Sequence, residues 1–392
     1  MKLVVIGLGQ CGCRIADEFA RLNERARAHR RIGIVTGVFA VNTDVADLTG
    51  LSHIPTHYQS RILLGGRKSG GHGVGKINEI GAEIARADGD KVITAMRGIK
   101  QLFESDAFLL VASSGGGTGS GALPIMTKLV KERYGDKPVY ALVILPFEHE
   151  EATEERTIYN TATCLKSVSS VADAVLLASN QRYVSKDFSL RNNLARINMQ
   201  IVEPFYDLLC AGEEKKPKYI GAKVLDAGDI IQTLTGWTVL GVGKSDMPTF
   251  RFPFFRSSNF RKKSTETHRG IKAMDEAISD LSLHCNAKDA NKALYLVSAP
   301  QREMNMDLIK ELGDYLRELA PNAVIRNGDY PRERGVMEVS VLLSGLNDVE
   351  KVRYYYNKST ELIPVYGQRK KEAEYKLKGI DDAGKEIPSL LD

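Results

Sequence analysis

A strand-to-helix joint almost stripped of side chains restricts this chain more than any other feature. The stretch Ser113-Ser114-Gly115-Gly116-Gly117-Thr118-Gly119-Ser120-Gly121 follows the apolar run Ala107–Ala112 and leads into a helical pattern, Ala122–Tyr134. Five glycines in seven residues let successive backbone N–H groups turn toward one object, and the helix that follows adds the positive end of its dipole. A phosphate chain fits that description. Glycine clusters also make plain tight turns, but the hydroxyls of Thr118 and Ser120 inside the run favour phosphate or metal contact.

The first half of the chain repeats the same grammar. Leu3–Leu8, Val38–Asn42, Ala107–Ala112, Pro138–Pro146 and Ala174–Asn180 read as strands, apolar without strict alternation, as strands covered on both faces should be. Between them lie helix-length segments, Cys13–His29, Asn78–Ala87, Asp90–Phe103, Ala122–Tyr134 and Thr153–Val171. This order predicts an α/β domain with a parallel sheet and a ligand at the carboxyl ends of its strands. The 392 residues suffice for two domains, and a net charge of +5 over that length gives no reason to expect nucleic acid. No run reaches the roughly 18–20 apolar residues of a membrane span, and the five cysteines are scattered rather than framed for disulfides or zinc. A reducing cytoplasm is the expected compartment.

Each strand end carries a suggestive loop. Gly7-Leu8-Gly9-Gln10-Cys11-Gly12 satisfies the dinucleotide fingerprint, with Asp44 near the end of the next strand, so an NAD-dependent oxidoreductase is one reading. Such an enzyme has no use for further phosphate loops, and this chain has them. Gly70 to Lys76 fits a P-loop pattern but continues with Ile77 where a magnesium-binding hydroxyl is required. Glu148, Glu150 and Glu151 open the helix after the fourth strand, a place the helix dipole favours for acids whatever their function. Leu225-Asp226-Ala227-Gly228-Asp229 sets two carboxylates three apart at a helix start. They could orient water, or act simply as N-cap and first-turn acid.

Together these stretches resemble the tubulin/FtsZ superfamily. GGGTGSG matches its phosphate signature, Gly-Gln-Cys-Gly the first tubulin loop, Asn42-Thr43-Asp44 the FtsZ Asn-Thr-Asp, and Asp226-x-x-Asp229 its catalytic pair, all in family order. Residues 294–297, 328–331 and 341–345 are similar to the archaeal CetZ proteins rather than to FtsZ. The resemblance implies a Rossmann-like GTPase domain, a long central helix and a smaller α/β C-terminal domain. We place these at residues 1–186, 187–212 and 213–366, with a charged tail at 367–392. It implies GTP or GDP with Mg2+, contacted by Gly9, Gln10, Cys11, Asn42, Asp44, Gly73, Gly75, Gly115, Gly116, Gly117, Thr118, Gly119, Ser120, Glu150, Asn180 and Asn198. No side chain is assigned as a metal ligand. Asn192 and Asn193 rival Asn198 for the base, Glu151 rivals Glu150 for the ribose, and Arg156 is spaced differently from the family pattern.

The implied function is head-to-tail polymerisation into protofilaments in cell shape or division, with GTP hydrolysed by Asp226 and Asp229 of the next subunit. A non-hydrolysing nucleotide-binding scaffold is the alternative within the same fold. The phenylalanines of the aromatic and basic stretch 250–263 either fold back onto the core or form an interaction patch, which the resemblance implies makes lateral filament contacts. The tail, ending Glu386-Ile387-Pro388-Ser389-Leu390-Leu391-Asp392, is expected to meet a membrane adaptor or partner protein at the inner membrane surface.

Overall fold

The computed structural model describes residues 1–66, 69–184, 190–247, 259–333 and 335–364, without the side chains of 190–192 and 259–266. The lateral-contact stretch 250–263 and the tail 367–392 therefore lie outside the residues whose side chains are described.

The first half runs β1 (Leu3–Leu8), α1 (Gly9–Arg30), β2 (Val35–Asn42), α2 (Val45–Thr49), β3 (Arg61–Leu63), α3 (Asn78–Arg97), β4 (Ala107–Ser113), α4 (Thr118–Arg133), β5 (Val139–Leu145), α5 (Glu148–Thr153), α6 (Glu155–Ser169) and β6 (Ala174–Ser179). Then come α7 (Leu190–Cys210), α8 (Ala227–Thr233), β7 (Gly236–Asp246), α9 (Asn259–Ser279), β8 (Lys292–Ala299), α10 (Met306–Leu319), β9 (Val324–Pro331) and β10 (Val336–Ser344). A last helix, α11, spans 350–364.

The strands form one sheet in the order β3-β2-β1-β4-β5-β6-β7-β10-β8-β9. The first six are parallel, so every intervening helix packs on a face and every carboxyl end points one way. Alternate residues of β1 feed two cores: Val4, Ile6 and Leu8 face α3, α4 and α6, whereas Leu3 and Val5 face α1 and α7.

The expected smaller α/β domain continues the same sheet, because β7 pairs in parallel with β6 at Ala174–Gly236, Val175–Trp237 and Leu176–Thr238 before its antiparallel pairing with β10 takes over. The sequence break between Ala87 and Asp90 is no helix boundary, because α3 continues through Gly89. A Cβ there would come within 2.5 Å of Leu129 Cδ1, so glycine lets α3 close on α4. Pro204 does not break the central helix either. Proline removes one helical N–H donor, yet the burial of Ile201, Val202, Phe205, Tyr206, Leu208 and Leu209 holds the helix through it. Among the described residues no helix is long and apolar enough to cross a membrane.

Candidate functional site

The carboxyl ends of β1, β2, β4, β5 and β6 open into one cavity of about 790 Å³, closed on one side by the first half of α7. Its floor is the turn from β1 into α1. Gly9 adopts φ +70°, and a Cβ there would stand 2.8 Å from Gly119 N, so glycine is needed for two loops to meet. Cys11 stands beside it, and burial pushes its thiol up to about 12, so it lines the cavity as a neutral group.

The β2 end is built around Asp47. This carboxylate accepts from Gln10 Nε2 at 2.7 Å and from Asn42 Nδ2 at 2.9 Å, fixing both predicted side chains. Asp44 caps α2, its Oδ1 accepting from Ala46 N and Asp47 N. Thr43 Oγ1 lies 2.6 Å from Thr118 Oγ1, joining the β2 loop to the glycine run. Gly73 N donates to Thr43 O, which carries the loop over residues 70–76 against the same edge.

Of the predicted contacts, Gly9, Gln10, Cys11, Asn42, Asp44, Gly73, Gly115, Gly116, Gly117, Thr118, Gly119, Glu150, Asn180 and Asn198 line the cavity. Gly75 and Ser120 do not. Gly75 is exposed in the neighbouring loop, and Ser120 is buried with its hydroxyl bonded back to Gly116 O. The rivals separate as well. Glu150 lines the cavity while its Oε2 accepts from Phe147 N at 3.0 Å, so it also caps α5. Glu151 turns away, buried against Lys351 and Tyr355 of α11. Arg156 is held outside the wall by Glu79 and Asn78. Asn193 lines the cavity together with Asn198, and the side chain of Asn192 lies outside the described residues.

The residue patterns did not single out Arg14, Asp47, Lys76 or Thr157 for this wall. Arg14 follows Cys11 by three positions, a spacing that returns a helix to the same face, and this was the available signal. Among the described residues no cluster of three His, Cys, Asp or Glu could hold a metal by itself. A magnesium that takes its remaining ligands from phosphates and water needs only one or two carboxylates, and Asp44 is such a group on the cavity wall.

Asp226 and Asp229 stand elsewhere. Asp226 caps α8, accepting from Asp229 N at 2.8 Å, and Asp229 pairs with Arg326 at 3.4 Å. The helix α7 fixes their distance from the cavity. Asn198 lines the cavity, whereas Leu209 O at the far end accepts from the Met1 amino group, next to the start of β1. Beyond that end Gly212 abuts Leu225 and Asp226. Twelve helical residues separate Asn198 from Cys210, about 18 Å of rise. The acids are thus at the opposite end of the molecule from their own chain's cavity.

This architecture has counterparts. Residues 2–185 match the model of the Tubulin/FtsZ family GTPase domain, and residues 187–361 match that of the tubulin-like CetZ C-terminal domain. The tubulin-like protein CetZ1 of Haloferax volcanii is 33% identical over 370 residues, covering 90% of each chain. The solved GDP-bound CetZ1 monomer of that organism superposes with a TM-score of 0.78 at 31% identity, covering 92% of this chain and 99% of that one. The GTPgS-bound protofilament of its CetZ2 gives 0.79 at 28% identity, covering 94% and 100%. Matches over both halves leave the oxidoreductase reading of Gly7–Gly12 without support. With phosphate loop, central helix and second domain all in that arrangement, the chain belongs to the Tubulin/FtsZ family, and within it to the tubulin-like CetZ proteins.

Proposed function

We propose that this chain binds GTP and GDP in the cavity, stacks head to tail with copies of itself, and hydrolyses GTP at each contact as a cytoskeletal protein of cell shape or division. Three inputs support nucleotide binding: the glycine-lined wall, the family's GTPase domain, and the GDP and GTPgS bound by the Haloferax relatives. Asn180 and Asn198 read the guanine edge, since an amide both donates and accepts. Glu150 takes the ribose, and Gly115–Gly119 with Thr118 take the phosphates. Magnesium, when bound with the nucleotide beside Asp44, neutralises phosphate charge.

The observation that carries hydrolysis in trans is the placement of the acids. Asp226 and Asp229 project from the end of the molecule that a head-to-tail neighbour would present to the next cavity, and they cannot reach their own. There they position the attacking water and accept its proton. Turnover measured beside light scattering tests this: GTP hydrolysis per subunit rises steeply across the assembly threshold. Turnover independent of protein concentration would overturn it.

The scaffold reading keeps one specific observation in its favour. Both acids are already engaged, Asp226 as a helix cap and Asp229 with Arg326. Filaments that form with GTP and release no phosphate would decide for it.

A further inference from the structure

Beneath the cavity wall one buried amide holds two loops at once. Asn160, on α6 and fully buried, directs its Nδ2 at Lys76 O (2.8 Å), Gly115 O (3.2 Å) and Gly116 O (3.1 Å). Three carbonyls fix the orientation of that amide, because an oxygen turned toward them would be repelled. Its Oδ1 is buried with no hydrogen-bond partner among the described residues. An apolar residue would avoid that desolvation cost, so the amide group is kept for what its nitrogen does. Ser120 Oγ supplies a second donor to Gly116 O from the rear. One turn earlier on α6, Thr157 lines the cavity with a buried hydroxyl that likewise has no partner among the described residues.

The consequence follows from the peptide plane. In a trans peptide the carbonyl of one residue and the N–H of the next point in opposite directions. Drawing the Gly115 and Gly116 carbonyls down toward α6 and α4 therefore aims the N–H groups of Gly116 and Gly117 up, into the cavity both residues line. Among the described residues nothing accepts from those two N–H groups. The bond to Lys76 O ties the loop over residues 70–76 to the same anchor.

We infer that Asn160 is a positioning residue for nucleotide binding: it orients the glycine amides toward the phosphates and locks the two phosphate-facing loops together. The inference rests on the nucleotide reading above, and deepens it.

The test is Asn160→Asp in the full chain, with a fluorescent GTP analogue titrated at two pH values and thermal unfolding followed alongside. An ionised carboxylate facing three carbonyls repels them. Binding at pH 7.5 is expected to weaken about 10- to 100-fold, the worth of one or two hydrogen bonds to a charged group. Burial and those carbonyls raise this carboxyl above the usual range near 4. Its neutral form carries an O–H donor, so affinity recovers toward that of the parent as the pH falls to about 5.5, a recovery the parent does not show. A folded variant that binds like the parent at both pH values overturns the inference, as does one weakened equally at both. If the variant does not fold, Ser120→Ala takes one of the two donors from Gly116 O and is read instead. Weakening of about 3- to 10-fold supports the inference, and unchanged affinity overturns it. The parent, titrated in the same experiment, keeps the two readings apart: a parent that does not bind GTP overturns the nucleotide assignment itself.

Discussion

Gly116 is the residue on which nucleotide binding can be tested most directly. A Cβ built there meets nothing within 4 Å, so a side chain would extend into the cavity without disturbing its neighbours. Gly116→Val is expected to keep the parent's unfolding temperature and lose GTP binding by at least about 100-fold, read by titration with a fluorescent nucleotide. A parent-like Kd would mean that nothing passes over this glycine. At the base end, Asn198→Ala is expected to weaken GTP binding about 10-fold and to reduce discrimination against ATP, since removing one amide costs about 1–2 kcal/mol. A displacement series with GTP and ATP against parent and variant reads both numbers. The wall residues were legible in the sequence where glycines form the wall, because their spacing announces a closely approached backbone. Ser120 and Glu150 show the limit. A hydroxyl turned back on Gly116 O and a carboxylate caught as a helix cap are decided by rotamer and register, which spacing alone does not carry.

Helices and strands were legible where one period dominated. Leu3–Leu8 emerges with the bounds that its pattern suggests. Legibility failed where tertiary packing outvoted a local breaker, as at Gly89 in α3. The parallel pairing of β6 with β7 was invisible for another reason, since some 55 residues of helix and loop separate the two strands in sequence. A second long-range tie also escaped notice. Glu151 of α5 accepts from Lys351 Nζ at 3.0 Å and from the Tyr355 hydroxyl, joining the nucleotide-facing loop to α11. Burial and the adjoining Glu151 carboxylate hold the Tyr355 hydroxyl well above the usual tyrosine range, so it stays a donor. The Glu151 side chain is 7% exposed and that of Lys351 29%, so the carboxylate is buried while the ammonium keeps access to water. Removing the carboxylate leaves the buried Tyr355 hydroxyl without its acceptor. Glu151→Ala is accordingly expected to destabilise the protein by about 1–3 kcal/mol, read as a lower thermal midpoint. GTP affinity should change little, since Glu151 faces away from the cavity.

At the scale of the whole molecule, two unlike ends determine how copies can meet. The cavity end carries exposed Val45, Ile77 and Ile80 around the cavity's loops, and the opposite end carries exposed Ile220 and Val224 just before Asp226. A contact between unlike ends leaves the two outer ends free, so it propagates as a filament unless its rotation closes a ring. If the acids serve a neighbour's cavity, then a chain without them still owns a complete nucleotide pocket, and a chain without the pocket still owns complete acids. Asp226→Ala and Asp229→Ala should each bind GTP normally, assemble, and lose about 10²- to 10⁴-fold in turnover, the usual worth of a positioned acid–base group. Gly116→Val should bind nothing and turn over nothing. Mixed in equal amounts, Asp226→Ala and Gly116→Val place an intact pocket against intact acids wherever the two alternate in the favourable order. Part of the lost turnover returns, and it grows with total protein concentration as contacts form. Phosphate release from the mixture, measured against each variant alone at the same total concentration, is the readout. Hydrolysis that stays at the level of the separate variants, under conditions where light scattering shows co-assembly, would mean that the acids do not act across the contact.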